Sequence, residues 1–428
     1  MPLFITQFLG AFNDNAFRNT FLVWYTYQAL SFANLDTPLV LNLATALLTL
    51  PFFLFSAMAG QLADKYQRIT LTRYIKFVEI VLMALSLFFF LTLNVGGLLF
   101  LIFMMGLQST FFGPIKYSLL PVHLRKNELL TGNSLVETGT FLAILLGTLL
   151  GGLVILLDQG LWWVGSVMIG LAFIGWLASL SIPVATVRDP DLKVAWNILS
   201  SSWRIIRYST QDKRVWYAIL GCSWFWLIGS VLLTQLPYYT ERTLAGDTSI
   251  LTLFLLLFSL GVGAGAFACN YLLKGALSIR WVPISLLGIS VFGALLVIAS
   301  YGYLHDAGGF GASAIQNAEL LQLSDFLAMG FWPWLISLSL FLLSASGGMY
   351  ILPLYTVIQQ YGEPSHLSRL VAANNIVNAI FIVSGSLCVS LLYIFGADVL
   401  MVLMLFLAGN LIVYMLALWA IRSAPLKG

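Results

Sequence analysis

Long apolar stretches fill most of the chain, and short polar breaks between them carry almost all of its charge. A helix that crosses a bilayer needs roughly 20 mostly apolar residues. Twelve stretches meet that length: Leu3–Leu30, Pro38–Leu62, Tyr74–Leu93, Gly97–Leu120, Thr131–Leu157, Trp162–Ile182, Trp216–Thr240, Ile250–Leu273, Trp281–Tyr301, Phe331–Ile358, Leu370–Phe395 and Asp398–Ile421. The longest break, Pro183–Val215, falls between the sixth and seventh. It predicts a six-helix N-terminal half over 1–183, a linker over 184–215 and a six-helix C-terminal half over 216–428. Inside the linker, Val194–Tyr208 mixes Trp196, Ile198, Leu199, Trp203, Ile205 and Ile206 with Lys193, Arg204 and Arg207. That mixture suits an amphipathic helix on a membrane surface, or else a plain covalent linker. A second long break, Gly302–Gly330, has room for a short interfacial helix over Ala314–Met329.

Composition agrees with lipid as the solvent. The 428 residues are 60% hydrophobic and 9% charged, against about 25% charged in soluble domains. The net charge of +3 points to no nucleic-acid partner. The first apolar stretch has no preceding Lys or Arg and no small-residue cleavage site, so it reads as a retained helix and not a signal peptide. Of the 20 Lys and Arg residues, Arg18, Lys76 and Lys116 lie within spans and Arg242 lies in an outer loop. The remaining sixteen (20 − 3 − 1) fall on the side shared by both termini, which the positive-inside rule makes cytoplasmic. Cys222, Cys269 and Cys388 are far apart in apolar stretches, and His123, His305 and His366 form no cluster. Neither a metal site nor a cofactor is expected, and no nucleophile–base pair suggests an enzyme.

Ionisable residues inside spans usually face a cavity or a partner. The first span carries Asn13, Asp14, Asn15, Arg18 and Asn19. Asp14 lies 11 residues past Leu3, ~16 Å along the axis and near the middle of a ~30 Å core. Arg18 follows at i+4, where it can pair with Asp14. Lys116 near the end of the fourth span and Glu137 early in the fifth are expected at similar depth, close enough to pair. Asn133 precedes Glu137 by four residues and shares its face. Lys76 and Glu79 suit a structural ion pair at a helix end. In the eleventh span Asn374 and Asn378 share a face, beside Asn375. Charges from the first half and amides from the second make Asp14, Asn15, Arg18, Lys116, Asn133, Glu137, Asn374 and Asn378 the candidate substrate-binding residues.

Two six-helix halves joined by a cytoplasmic linker resemble the plan of the major facilitator superfamily. The segment Gly60-Gln61-Leu62-Ala63-Asp64-Lys65-Tyr66-Gln67-Arg68 resembles that superfamily's loop motif, with Gln67 where Gly is usual. The resemblance implies a conformational gate at Asp64, Arg68 and Arg73, with Asp64 capping a helix start in the other half. Gly147 and Gly151 in the fifth span, and Gly261 and Gly265 in the eighth, are four apart, a spacing that lets helices approach closely. The superfamily plan places these helices where the halves slide against each other.

Three runs carry a narrower likeness. Gln7-Phe8-Leu9-Gly10-Ala11-Phe12-Asn13-Asp14-Asn15-Ala16, Gly113-Pro114-Ile115-Lys116-Tyr117, and Gly132-Asn133-Ser134-Leu135-Val136-Glu137-Thr138 continuing to Gly152 resemble the bacterial lysophospholipid transporter family. Val377 stands where that family's better-known branch has an acidic residue. The resemblance implies flipping of lysophospholipids, chiefly lysophosphatidylethanolamine, from the outer to the inner leaflet of the bacterial inner membrane by alternating access. A separate cytoplasmic acyltransferase/acyl-carrier-protein synthetase would re-acylate them, and the transporter is expected to be a monomer. The competing expectation is a proton-coupled exporter of an amphipathic molecule such as a drug or siderophore, with Asp14 or Glu137 carrying the proton. A third is a non-transporting scaffold for a lipid enzyme.

Overall fold

Lipid offers no partner to a backbone N–H or C=O, so a spanning segment must satisfy its own hydrogen bonds, and apolar runs of bilayer length fold as helices. The computed structural model describes residues 1–27, 37–184, 191–195, 197–273, 278–306, 320–363 and 366–423. The helices there are α1 (Pro2–Tyr27), α2 (Thr37–Lys65), α3 (Arg68–Leu91), α4 (Val95–His123), α5 (Leu129–Leu153), α6 (Gly160–Leu180), α7 (Ile198–Ser209), α8 (Lys213–Tyr238), α9 (Thr248–Leu273), α10 (Trp281–Asp306), α11 (Leu323–Ala328), α12 (Phe331–Tyr361), α13 (Leu367–Ile394) and α14 (Val399–Ser423). Eleven stretches among the described residues are long and apolar enough to cross a membrane. The twelfth is α1, whose 26 residues suffice in length while its polar run lowers its apolar content. The protein is an all-α, multi-pass membrane protein of twelve spans.

Several boundaries differ from the expectation, each for a local reason. α3 starts at Arg68, six residues before Tyr74, so Lys76 and Glu79 sit well inside the helix. α7 starts at Ile198 because the Asn197 side chain accepts from Ser200 N at 3.0 Å, an N-cap that ends the extended stretch before it. α11 is shorter than the expected interfacial helix. Its Phe326 is buried against Phe254 and Tyr303. Residues 314–319 of that expectation, and Arg188, Lys274 and Lys427 of the charge pattern, lie outside the described residues.

Two compact units result. The first is Met1–Trp216 with Val357–Ala379. Here α1 packs on α5 and α6, α2 on α4, and α3 on α4 and α6. Phe17, Phe21, Trp24, Phe90, Met105 and Met168 form its apolar centre, with the Trp24 and Phe90 rings edge to face at 5.1 Å. α7 and the adjoining ends of α12 and α13 belong to this unit. The second unit is Tyr217–Thr356 with Ile380–Gly428. In it α10 packs on α14, and buried Asn410 bonds the Leu286 carbonyl at 2.8 Å, the Ser290 hydroxyl at 2.9 Å and the Trp224 indole at 2.9 Å.

Candidate functional site

The polar face of α1 is largely self-supported. Asn15 donates to the Ala11 carbonyl and Asn19 to the Asn15 carbonyl, both at 2.8 Å, and Asn19 also reaches Thr148 of α5 at 3.1 Å. Asp14, Asn15, Arg18 and Asn19 are half-exposed. The expected Asp14–Arg18 ion pair is not made among the described residues. Asp14 instead accepts the Ser109 hydroxyl of α4. Spacing of i, i+4 puts two side chains on one face without obliging them to meet. The other carboxylate oxygen, Asp14 Oδ1, and Arg18 Nε are buried without hydrogen-bond partners. Such atoms are rare in folded proteins and mark a place where a ligand or water completes the bonding.

Behind this face lies a buried charge network. Lys76 Nζ and Glu79 Oε2 are 2.7 Å apart, each side chain 1% exposed. Glu79 also accepts from Asn13 at 3.0 Å and from Gln108 at 2.9 Å. The Lys76 ammonium lies 4.7 Å from the Phe112 ring centre. Gly10 makes room for it, since a Cβ there would come 2.2 Å from Nζ. The Ser109 hydroxyl lies 3.1 Å from Gln108 Oε1. Polar contacts therefore run from Lys76 and Glu79 through Gln108 and Ser109 to Asp14. The pair is a supporting element of the α1 site and not the helix-end pair expected.

Lys116 and Glu137 do not pair among the described residues. Adjacent residues on a helix point about 100° apart, and it is Tyr117 whose hydroxyl donates to Glu137 Oε1 at 2.5 Å. Lys116 is half-exposed with its ammonium 4.8 Å from the Tyr117 ring centre. Glu137 is wholly buried, with Oε2 unpartnered. Asn133 exchanges two hydrogen bonds with Gln359 of α12, at 2.7 and 3.0 Å, and Gln359 also donates to the Tyr117 carbonyl at 3.2 Å. In α13, Asn374 is fully buried with neither amide atom bonded, and Asn378 is buried beside it. Gly113 of α4 faces Asn375, whose Nδ2 would lie 3.1 Å from an added Cβ.

The three residues expected to form a gate, Asp64, Arg68 and Arg73, divide. Asp64 Oδ1 pairs with Arg68 at 2.9 Å and Oδ2 with Arg369 of α13 at 3.0 Å. Arg68 donates to Ser368 at 3.1 and 3.2 Å. Asp64 thus reaches the first turn of α13 through the Arg369 guanidinium. Gly60 allows the approach, since a Cβ there would lie 2.7 Å from Ala372 Cβ and 2.9 Å from the Ser368 carbonyl. Arg73 stands apart, donating to the last carbonyl of α6, Leu180, at 3.1 Å.

The paired glycines mark close helix crossings. A Cβ at Gly147 or Gly151 would strike the α1 backbone at Phe12 or Ala16, and one at Gly261 or Gly265 the α12 backbone at Phe341 or Ala345. They serve close crossings inside their own units, α5 on α1 and α9 on α12. The sequence alone assigns no role to Gln108, Ser109, Gln359 or Ser368, and marks Tyr117 only within the Gly113–Tyr117 run. Gln108 and Ser109 carried a signal, as adjacent polar residues within an apolar stretch. Ser368 and Gln359 carried none, lying at polar helix ends.

The sequence profile of the Major Facilitator Superfamily matches residues 3–332. The lysophospholipid transporter LplT of Escherichia coli O1:K1 is 24% identical over 366 residues, 84% of this chain and 80% of its own length. That of Enterobacter sp. strain 638 is 25% identical over 331 residues, 75% and 79% of the two chains. Among solved structures, the transporter FucP in its outward conformation superposes with a TM-score of 0.72 at 10% identity, covering 98% of this chain and 97% of that one. A bacterial homologue of the iron transporter ferroportin, outward-facing, gives 0.68 at 15% identity and 98% coverage of both. These likenesses establish the fold, and the chain belongs to the Major Facilitator Superfamily, as a transporter and not an enzyme.

Proposed function

We propose that this protein flips lysophospholipids, lysophosphatidylethanolamine foremost, from the outer to the inner leaflet of a bacterial inner membrane, with both termini cytoplasmic. The observation that carries the reading is the α1 face. An acid and a base, Asp14 and Arg18, lie four residues apart and half-exposed. They are not paired with each other, and each keeps a buried atom without a partner. An ethanolamine phosphate headgroup needs one anion for its ammonium and one cation for its phosphate. Charge-assisted hydrogen bonds of both kinds are available here. Lys116, half-exposed and not ion-paired among the described residues, is a second cation for the phosphate; Glu137, with one free oxygen, is a second acid. The acyl tail stays in or beside the bilayer while the headgroup crosses. The matched relatives carry the name lysophospholipid transporter, which supports the same substrate class. A separate acyltransferase/acyl-carrier-protein synthetase then consumes the flipped lipid, and the transporter acts as a monomer.

The polar contacts from Asp14 to the Lys76–Glu79 pair favour a second reading, a proton-coupled exporter of an amphipathic small molecule. A carboxylate wired to a buried pair suits a proton carrier. One assay separates the two. Leaflet transfer of a fluorescent lysophosphatidylethanolamine is followed in proteoliposomes with and without a proton gradient. Gradient-independent flipping that Asp14→Asn abolishes, in protein that purifies as a folded monomer, supports the lysolipid reading. Wild-type flipping by that variant sinks the role of Asp14, and flux that needs the gradient moves the assignment to the exporter.

A further inference from the structure

Away from α1, the first unit holds a cavity of about 160 Å³ where the linker meets the ends of α2 and α13. Gln61, Ser201 and Tyr208 line it together with four basic side chains, Lys193, Arg204, His366 and Arg369. No carboxylate is among its lining residues. The two acids nearby are engaged at its margin. Asp64 holds Arg68 and Arg369, and Glu363 accepts from Tyr208 at 2.7 Å and lies 3.3 Å from His366. Lys193 and Arg204 are exposed, with no carboxylate within ion-pair distance among the described residues.

The cavity has fixed walls. Ala195 N donates to Gln61 at 2.9 Å and Ser201 to the Ala195 carbonyl at 2.9 Å, which ties the linker to α2. Ser201 and Ile205 are buried. The Tyr208 and His366 rings stack at 4.5 Å, which ties α7 to the start of α13. Burial, and then the Glu363 carboxylate, push the Tyr208 hydroxyl up to about 12, so it stays neutral and adds no anion.

Lys193 from the linker and Arg204 from α7 bring two cations without a carboxylate partner to a wall that also carries Arg369 and His366, which Asp64 and Glu363 engage from its margin, and an anion in the cavity would complete their pairing. Guanidinium groups match the oxygens of a phosphate better than a lone halide. We propose that this pocket binds a phosphate-bearing anion, either an anionic lipid headgroup or a free phosphate, with Lys193 and Arg204 as its freely available ligands. The pocket lies at the ends of membrane-spanning helices, where headgroups sit. Trp203, 70% exposed, precedes Arg204 on α7, and tryptophan prefers that same interfacial depth. Because the ligands come from three segments, the anion binds the arrangement in which they are together. It therefore favours the docked state of the first turn of α13. Nothing in this depends on what the α1 site transports.

The test uses the full chain in phosphatidylcholine nanodiscs, with the thermal unfolding midpoint read as phosphatidylglycerol is added to the disc or inorganic phosphate to the buffer. A saturable rise with the lipid assigns the pocket to a headgroup, a rise with inorganic phosphate assigns it to a free phosphate, and a rise with both supports the shared chemistry. The double substitution K193Q/R204Q removes two exposed side chains and leaves the unliganded midpoint unchanged. It weakens the response at least about tenfold in midpoint-saturating concentration, as loss of a hydrogen bond to a charged group does. R207Q, on the same helix but outside the lining, responds as wild type. No rise in either arm overturns the proposal. So does a K193Q/R204Q response equal to wild type, or an R207Q loss as large as that of the double variant.

Discussion

Lys76 and Glu79 show how burial changes the meaning of a charge pair. Lys76 lies eight residues past the start of α3 at Arg68, ~12 Å down the axis, too deep to reach headgroup water. Its ammonium is held by Glu79, and Glu79 by two amides, Asn13 and Gln108. Removing one partner strands the other charge, so Lys76→Met or Glu79→Gln should each destabilise the protein by about 3–5 kcal/mol, read as a fall in denaturant midpoint in detergent. The double change to Met and Leu should cost less than either single one, because no charge is then stranded. Singles that unfold like wild type would mean that the pair supports nothing. The pair was visible in the sequence, but its depth was not. Arg68, Thr70, Thr72 and Arg73 read as loop, and only the structure shows helix there. Similarly, Glu137 and its depth were legible, whereas the choice of Tyr117 over Lys116 rests on a rotation of about 100° that run length does not encode.

At the scale of elements, glycine spacing announced close helix crossings without naming the partners. A Cβ on Gly265 would lie 1.8 Å from the Ala345 carbonyl oxygen. That oxygen is backbone and cannot swing aside, so α9 must move off α12. Gly265→Val should therefore destabilise the protein by about 1–3 kcal/mol, the usual penalty of overpacking. Gly152→Val in α5 is the control, since nothing lies within 4 Å of its added Cβ, and it should leave the thermal midpoint nearly unmoved. Equal effects would place the penalty in helix propensity and not in the crossing. Gly60 is the same device where α2 meets the first turn of α13. Gly60→Ala should loosen α13 from α2, and thiol labelling of a cysteine placed at Ser368 should speed up accordingly. Helix ends follow equally local rules once seen. Asn197 caps α7, and that cap, not the mixed pattern from Val194 onward, decides where the helix starts.

On the scale of the whole molecule, twelve spans and an all-α membrane fold follow from run length alone, because lipid leaves a chain of this composition no other way to satisfy its backbone. Which segments dock on which does not follow from run length. Val357–Ala379 belongs by sequence to the second set of six helices, yet it clusters with the first unit. It is held there by Asp64–Arg369, Arg68–Ser368 and the Asn133–Gln359 amide pair, with partners 226 to 305 residues apart. A transporter that works by alternating access must release such contacts in every cycle. Cysteines at 133 and 359, in a chain whose Cys222, Cys269 and Cys388 have been replaced, can be joined by a short reducible bis-thiol reagent. On the proposed function, the joined protein should lose flipping of lysophosphatidylethanolamine in proteoliposomes and recover it on reduction. The unjoined double variant should retain flipping, since an apolar-for-polar exchange of both partners strands neither. Full-rate flipping by the joined protein would show that this segment stays docked throughout the cycle. The moving contacts would then have to be sought elsewhere in the fold.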